Sequence, residues 1–272
     1  MSLIFDTHAH YDDSAFNEDR EEILSGLKSN GVGFVVDAAA RCSSIPKIIE
    51  LTEKYDFLYG AAGLHPTELY KMECGEDDSI RGNKDFYAGD KEFEIVKEAL
   101  KNPKIIAVGE IGLDYHYPDT DKPFQKEWFA RQINLAKEVN YPVLVHSRDS
   151  AADTLDVIRA ESAKDCGGVI HCFSYELEMA KIYLDLGFYI GVGGVLTYKN
   201  GRKLRRIVEY MPMDRILLET DCPYLAPEPV RGSRNNSANI KYVAEKIAEI
   251  KGLSFEEVVA ITEENAKRMY KM

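Results

Sequence analysis

Hydrophobic residues along the chain fall into eight short runs, separated by longer stretches in which they recur at helical spacing. The runs are rich in Val, Ile, Leu and Phe and do not alternate strictly with polar residues, as expected of strands buried on both faces. They cover residues 3–5, 33–37, 57–62, 105–108, 143–145, 168–170, 188–192 and 216–218. The pattern predicts eight strands of a parallel sheet.

Amphipathic stretches with a period near 3.6 lie between these runs. They cover residues 19–30, 91–101, 124–139, 152–162, 176–186 and 202–210. Alternating strands and helices indicate parallel strands joined by right-handed crossovers. Eight such units in about 220 residues predict an α/β fold, a closed (β/α)8 TIM barrel. An open doubly wound sheet is the alternative, although no GxGxxG motif follows the first strand.

We interpret the whole chain, residues 1–272, as a single domain. Two further helical patterns at 240–250 and 255–269 predict extra C-terminal helices outside the barrel. Ser254 followed by Glu257 predicts a capping box at the start of the last helix. The acidic segment 67–90 interrupts the rhythm, and it is interpreted either as a functional lid or as a solvated surface loop.

Charge and cysteine content narrow the classes of protein. The chain has 46 Asp and Glu against 34 Lys and Arg, a formal net charge of -12. This excludes a protein that coats nucleic acid through a broad basic surface. Five scattered cysteines without a CxxC pair favour reduced thiols. With no secretory signal and no apolar run long enough to span a bilayer, we expect a cytoplasmic protein without membrane contact, and a monomer by default.

Polar residues gather where the predicted strands end. The carboxyl ends of barrel strands share one mouth, so these residues are expected to meet there. Five of the six histidines occupy such ends; the sixth, His116, lies just behind the fourth strand. The polar segments are Asp6 to His10, Gly63 to Pro66, Gly109 to Asp114, His146 to Asp149, His171 to Ser174 and Glu219 to Pro223.

These strand-end residues predict a metal site. His8 and His10 are two residues apart, so on an extended strand both imidazoles face the same side. Mixed imidazole and carboxylate ligands suit divalent cations such as zinc or manganese. The candidate ligands number six, more than one four-coordinate zinc requires, which indicates two ions with Glu110 as the bridging carboxylate. The predicted ligands are His8, His10, Glu110, His146, His171 and Asp221.

The motifs resemble those of the TatD family of metal-dependent deoxyribonucleases, within the wider amidohydrolase-like barrel group. The resemblance covers almost the whole chain, in the family's order. The matching motifs are D-T-H-A-H at 6–10, G-L-H-P at 63–66, G-E-I-G-L-D-Y at 109–115, H-S-R-D at 146–149, H-C-F-S at 171–174 and L-E-T-D-C-P-Y-L-A-P at 218–227.

The resemblance implies a division of the ligands between two cations, of which Mg²⁺, Mn²⁺ and Zn²⁺ are the candidates. One ion would be held by His8, His10, Glu110 and Asp221. Glu110 would also hold the other ion, together with two histidines from later motifs, His146 and His171. The resemblance further implies that His65 lies near the substrate phosphate and that Arg231 lines the mouth.

We therefore predict a divalent-metal-dependent phosphodiester hydrolase. We expect it to be a 3′-5′ exonuclease that degrades single-stranded or frayed DNA. RNA is the other candidate substrate. Asp221 is assigned as general base as well as ligand, and Glu219, two residues earlier on the same strand face, as a partner that orients a ligand. Catalytic roles are therefore predicted for Asp221, Glu110 and His65.

Three further residues are predicted to contact the substrate. Arg148 is a candidate substrate contact in a basic patch near the mouth, and Tyr115 and Tyr175 are candidates to stack on bases. The alternative for these aromatic residues is packing at the rim.

Two other functions fit the same residues. One is hydrolysis of another ester or of an amide, for example an aminoacyl-tRNA ester. The other is metal binding without catalysis.

Overall fold

The computed structural model describes residues 2–70 and 87–272, and its strands form a nearly closed (β/α)8 barrel. All neighbouring strands pair in parallel, in the order β1 to β8 along the chain. The ring is completed by a bridge between Ala9 and Cys222, next to the first and last strands. The strands are β1 (Ile4–Ala9), β2 (Val32–Ala38), β3 (Leu58–Ala62), β4 (Ile105–Asp114), β5 (Val143–Arg148), β6 (Gly168–Ile170), β7 (Tyr189–Val192) and β8 (Ile216–Leu218). The predicted barrel is confirmed.

Helices follow the strands on the outside of the barrel. Within residues 2–70 and 87–272 the α-helices are α1 (Arg20–Gly26), α2 (Ile45–Lys54), α3 (Asp90–Ala99), α4 (Lys122–Val139), α5 (Ala151–Ala160), α6 (Leu177–Asp185), α7 (Arg202–Tyr210), α8 (Ile240–Lys251) and α9 (Phe255–Tyr270). Eight of these overlap the predicted helices. The sequence analysis omitted α2, although its buried residues Ile45, Ile48, Leu51 and Thr52 have helical spacing.

β1, β2, β4 and β5 are longer than predicted, and all except β2 carry candidate ligands. β5 continues to Arg148, so His146 lies within it. β1 continues to Ala9, so His8 lies within it, and β4 continues to Asp114. The sequence analysis placed these polar residues at the strand ends, beyond the apolar runs. They remain in the strands because the sheet pairing continues past the apolar part: Gly112 pairs with His146 and Asp114 with Arg148.

The barrel interior is filled at one end by a compact apolar cluster. All eight strands contribute to it, together with residues from α9. Phe5 stacks on Tyr270 of α9 with ring centroids 5.6 Å apart. We call the cluster the inner apolar layer; its buried members are Phe5, Val36, Ala38, Ala61, Ile106, Ala107, Leu144, Val169, Tyr189, Leu217, Ala266, Met269 and Tyr270.

The capping box, the acidic segment 67–90 and the absence of a membrane span were predicted from local sequence. The capping box is confirmed: the Ser254 hydroxyl accepts the Glu257 N–H, and the Glu257 carboxylate accepts the Ser254 N–H. Of the predicted loop 67–90, residues 71–86 lie outside the described residues, and α3 begins at Asp90. In the part of the chain that the structure describes, no helix is long and apolar enough to span a membrane.

Candidate metal centre

Imidazole and carboxylate groups converge inside the carboxyl end of the barrel. His8 and His10 extend from β1 and its end, and their Nε2 atoms lie 3.2 Å apart. Glu110 Oε2 lies 3.3 Å from the His8 Nε2 atom and 3.8 Å from that of His10. Asp221 Oδ1, beyond β8, lies 3.3 Å from His10 Nε2. Residues far apart in sequence thus share one pocket at the barrel mouth.

The alternation of side chains along the strands places this cluster directly above the inner apolar layer. In β5, Leu144 belongs to that layer, and His146 two residues later points to the same side. Val169 and His171 have the same relationship at the end of β6. The apolar layer and the polar cluster are therefore consecutive levels of one interior.

Two glycines allow β4 and β5 to approach closely beside the cluster. A Cβ on Gly109 would lie 2.6 Å from Leu144 Cβ, and one on Gly112 would lie 1.9 Å from the His146 carbonyl oxygen. Gly112 also has a φ of +145°, which L-residues rarely adopt. These glycines bring Glu110, which lies between them, next to His146.

Glu110 is the centre of the cluster and is 4% exposed. Its Oε1 atom lies 2.9 Å from His146 Nδ1, 3.7 Å from His65 Nε2 and 3.9 Å from His171 Nε2. Burial alone would raise the pKa of Glu110, but the surrounding imidazoles outweigh it and hold that pKa well below its usual value. The residue is therefore an ionised carboxylate surrounded by histidines.

Asp221 is the second ionised carboxylate of the cluster. Its Oδ1 lies 3.5 Å from His171 Nε2, as well as near His10. Burial opposes ionisation of Asp221, yet hydrogen bonds from His10 and His171 lower its pKa. In return Asp221 raises the pKa of His10 to about 10, although burial of the imidazole acts in the opposite direction. The site thus favours positive charge beside these carboxylates.

Carboxylates behind the cluster fix two of the histidine rings. Glu219 Oε2 lies 3.0 Å from His171 Nδ1, and Glu219 Oε1 accepts the Cys172 N–H at 2.7 Å. Asp114 Oδ2 lies 3.0 Å from His146 Nε2. A carboxylate on the far ring nitrogen is the usual arrangement behind a metal-ligating histidine. Glu219 was predicted for this role, whereas Asp114 was missed, although its motif G-E-I-G-L-D-Y was singled out.

Asp6 ties the first strand to the segment that follows the last. Its carboxylate accepts hydrogen bonds of 2.6 Å from the hydroxyls of Thr220 and Ser237. The Thr220 N–H donates a further bond of 3.0 Å to the same group. Because Thr220 precedes Asp221, this buried network sets the position of one predicted ligand relative to β1. The resemblance alone did not indicate this role.

The donor atoms fit divalent cations. His8, His10 and Glu110 each offer one ligand atom, and these atoms lie within 4.8 Å of one another. His65, Glu110 and His146 form a second such group, and His8, His171 and Asp221 a third. The Nδ1 atom of His8 is buried and has no hydrogen-bond partner among residues 2–70 and 87–272. Nitrogen and carboxylate oxygen donors crowded around shared points suit zinc, manganese or similar ions.

The grouping differs in one respect from the division implied by the resemblance. His171 lies nearer to Asp221 than to Glu110, at 3.5 Å against 3.9 Å, and its ring stacks on His8 with centroids 3.6 Å apart. His65 takes the place beside Glu110 and His146. Glu110 belongs to two groups, so its proposed bridging position agrees with the geometry. Which ligand holds which ion remains a prediction.

The cluster forms the base of a cavity of about 510 Å³ at the barrel mouth. Among the predicted substrate contacts, His65 and Arg148 line it. Sequence reasoning missed Arg41, Tyr117 and Tyr224, which also line it. The signal for Arg41 was its place just after β2, at the mouth end of the barrel.

The other three predicted substrate contacts lie outside the cavity lining, within the part of the chain described. The Tyr115 hydroxyl donates to Asp153 at 2.8 Å. The Tyr175 hydroxyl lies 2.8 Å from Ser147 Oγ. The Arg231 guanidinium lies over the Tyr198 ring, 4.1 Å from its centroid. The hydroxyl contacts within the protein favour the rim-packing interpretation of the two tyrosines, whereas the Arg231 side chain is about half exposed.

Comparison with known proteins identifies the family. The family model described as "TatD related DNase" matches residues 5–271. The chain belongs to the TatD family. It is 39% identical over 270 residues to the uncharacterized metal-dependent hydrolase YabD of Bacillus subtilis, covering 99% of this chain and 100% of that protein. It is 35% identical to the uncharacterized metal-dependent hydrolase YcfH of Escherichia coli, with 98% and 96% covered.

A solved TatD structure has the same fold over nearly the whole chain. The TatD homologue YjjV of Escherichia coli K12 superimposes with a TM-score of 0.87 at 29% sequence identity, covering 99% of this chain and 98% of that one. The resemblance read from the motifs is therefore confirmed. As a TatD protein with this donor cluster, the chain is a member of a family of metal-dependent hydrolases.

Proposed function

We propose that this TatD protein is a divalent-metal-dependent phosphodiesterase, a 3′-5′ exonuclease that acts on single-stranded or frayed DNA. The observation that carries the proposal is the cluster around Glu110, which lies at the base of an open cavity. The description of the family as related to a DNase supports DNA as the substrate.

The fit of the donor atoms supports two adjacent cations, with Glu110 shared between them. His8 and His10, with Asp221 beside them, lie near Glu110 Oε2, and His146 lies near Glu110 Oε1. His65 Nε2 also lies near Oε1, but we assign it to the substrate rather than to a cation. Bound divalent cations lower the pKa of water and offset negative charge on phosphoryl oxygens. The protein supplies a largely buried set of ligands. The Asp114 carboxylate fixes the ring of His146, and the Glu219 carboxylate fixes that of His171.

Asp221 is suited to accept the proton of the attacking water. Its side chain is 19% exposed and lines the cavity, whereas Glu110 is 5% exposed. The carboxylate of Asp221 is ionised, with its Oδ1 atom 3.3 Å from His10 Nε2 and 3.5 Å from His171 Nε2. A base must lie within hydrogen-bond reach of the proton that it removes. Asp221 meets this condition for a water molecule at the base of the cavity.

His65 is placed to contact the phosphate. Its Nδ1 atom accepts the Thr67 N–H at 3.2 Å and lies 2.7 Å from the Thr67 hydroxyl, which fixes the ring. Burial lowers the pKa of His65 to about 3, so the ring is neutral near neutral pH. Its Nε2 atom faces the cluster, 3.7 Å from Glu110 Oε1. This edge can donate a hydrogen bond to a phosphoryl or leaving-group oxygen.

The dimensions of the cavity favour the end of a strand. A volume of about 510 Å³ lies within the range of pockets that enclose small ligands, about 300–1,000 Å³. Such a pocket accommodates a terminal nucleotide with its phosphate rather than a continuous duplex. The net charge of -12 likewise disfavours wrapping along DNA. These two features support cutting at an end.

The test is hydrolysis of a 5′-labelled single-stranded oligodeoxynucleotide by metal-stripped protein, with Mg²⁺, Mn²⁺ or Zn²⁺ restored separately. Attack from the 3′ end gives a ladder of labelled products that shorten stepwise. Glu110→Gln should abolish the ladder. Glu98→Gln, the same change on the exposed Glu98–Lys101 pair of α3, should leave it intact.

Three results would contradict parts of the proposal. Immediate release of a labelled mononucleotide would reverse the polarity. Retained cutting by Glu110→Gln would remove the cluster from catalysis. No cutting with any metal, by protein that is folded and metal-loaded, would exclude the deoxyribonuclease and direct the search to small esters and amides.

A further inference from the structure

Two arginines stand at the cavity mouth above the metal cluster. Arg41 follows β2, and Arg148 is the last residue of β5. Among the described residues that line the cavity, they are the only Lys or Arg side chains. Six carboxylates share the same lining, namely Asp12, Asp13, Glu68, Glu110, Asp114 and Asp221.

Neither guanidinium is paired with a carboxylate of the described residues. No salt bridge or side-chain hydrogen bond joins Arg41 to the rest of residues 2–70 and 87–272. Within the same ranges, the Arg148 guanidinium lies over the ring of Tyr117, with its carbon 5.9 Å from the centroid. By contrast, Arg131 pairs with Asp90, and Arg234 with Asp19.

The backbone under each arginine is held firmly. The Ala40 carbonyl accepts the His65 N–H at 2.9 Å, and the Arg41 carbonyl accepts the Ser44 N–H at 3.1 Å. Arg148 pairs with Asp114 in the sheet, and its carbonyl accepts the Tyr115 N–H at 2.9 Å. The two arginines are therefore presented from fixed backbone positions, Arg41 from the segment after β2 and Arg148 from the end of β5.

Arginine is well suited to bind phosphate at such a position. Its planar guanidinium offers five N–H donors, and it forms paired hydrogen bonds with phosphate or carboxylate oxygens. In a cavity with six carboxylates, two arginines that lack a carboxylate partner among the described residues can offer their donors to a ligand. That ligand must be anionic, and it must extend from the cluster to the rim.

We propose that Arg41 and Arg148 bind phosphates of the substrate strand next to the phosphate that is cleaved. The site then selects a polyanion with at least two phosphates over an isolated phosphodiester. This inference rests on the proposed function for the identity of the cleaved bond. It adds a requirement for the neighbouring phosphates, and Arg41 is a specificity residue.

The experiment measures binding apart from turnover. A fluorescein-labelled pentadeoxynucleotide with hydrolysis-resistant phosphorothioate linkages is titrated with metal-loaded protein, and fluorescence anisotropy gives Kd at several salt concentrations. Arg41→Gln and Arg148→Gln are each expected to weaken binding about tenfold, the effect of losing a hydrogen bond to a charged group. Arg206→Gln, an exposed arginine of α7 outside the cavity, is the charge-matched control.

The salt dependence separates a phosphate contact from a structural effect. For single strands the slope of log K against log salt is about -0.7 per phosphate contact. The double variant should therefore have a slope shallower by about 1.4 than the wild type. A probe of the same sequence with uncharged methylphosphonate linkages should bind wild type and double variant with the same affinity.

The outcomes distinguish the two proposals. An unchanged Kd and slope in the double variant, with its metal content intact, overturns the phosphate contacts. Equal loss of affinity for the charged and the uncharged probe also overturns them. Arginine-dependent binding by a wild-type protein that cuts no DNA would support the contacts and reject the nuclease. Cutting without arginine-dependent binding would do the reverse.

Discussion

The barrel interior has two levels of opposite character. The inner apolar layer fills one end and is closed by α9, where Tyr270 stacks on Phe5. The level above it holds the cluster of histidines and carboxylates around Glu110. The same strands supply both levels, since side chains two residues apart face the same side. One backbone pattern thus serves two different purposes.

The difference between the levels is energetic. Burying apolar side chains such as Leu217 stabilises the folded chain. Burying ionisable groups opposes it: desolvation disfavours the charged forms of Glu110, Asp221 and His146 before their partners compensate. We infer that the apolar layer supplies the stability that permits a costly polar level. Changes in the two levels should therefore affect different measurements.

The largest expected effect is on activity, from the polar level. His146→Ala removes an imidazole bonded to both Glu110 and Asp114. Cations contribute several kcal/mol to the transition state, so we expect turnover of the oligonucleotide to fall about 10³-fold or more. Single-turnover assays at saturating metal measure this. His116→Ala, which changes a 46% exposed histidine outside the cluster, should retain wild-type turnover. A similar loss of turnover in this control would contradict the assignment of activity to the polar level.

The next effect is on stability, from the apolar level. Leu217→Ala deletes a fully buried side chain two residues before Glu219. Leucine-to-alanine changes in cores cost about 3 kcal/mol or more. Urea unfolding followed by circular dichroism should show this decrease in the free energy of unfolding. The folded fraction should keep its turnover within about twofold. A large loss of turnover per folded molecule would show that the two levels are coupled.

Much of this organisation could be predicted from sequence because it depends on local rules. Apolar runs indicated all eight strands, and β6 and β8 have the predicted bounds. The six predicted ligands converge because each follows an apolar run at the carboxyl end of a parallel strand. Helical periodicity also indicates α2, which the sequence analysis omitted from its predicted helices.

The remainder depends on contacts that a linear pattern does not contain. Asp114 ends an unexpectedly long β4, and only the pairing of β4 with β5 shows that it faces His146. For Tyr175 the sequence left base stacking and rim packing open, and the fold adds that its hydroxyl lies 2.8 Å from Ser147 Oγ. Arg41 lacks a motif, and its place at the mouth follows from how the segment after β2 contacts β3 and β4. Side-chain direction in these connections is set by tertiary structure.

A smaller effect should come from the support behind the polar level. Asp114→Asn keeps the size of the side chain but removes the carboxylate that holds His146 Nε2. Loss of such a partner typically costs 10–100-fold in metal affinity. Isothermal titration of metal-stripped protein with Zn²⁺ or Mn²⁺ measures it. Asp149→Asn, which alters the exposed pair of Asp149 with His116, is the matched control. Equal affinities in both variants would exclude Asp114 as a positioning residue.

The smallest effect tests whether the closing helix contributes stability alone. Ser254→Ala removes the hydroxyl that accepts the Glu257 N–H and thereby breaks the capping box of α9. Loss of an N-cap costs about 1 kcal/mol, and we expect Tm to fall by about 2–4 °C. Turnover and metal affinity should not change, because Ser254 is exposed at the start of α9, whereas Ala266, Met269 and Tyr270, which join the inner apolar layer, lie at its other end. Thermal unfolding and the oligonucleotide assay on the same preparation decide it. If turnover fell while Tm stayed constant, the far end of the barrel would help to position the metal centre, and the separation of the two levels would be wrong.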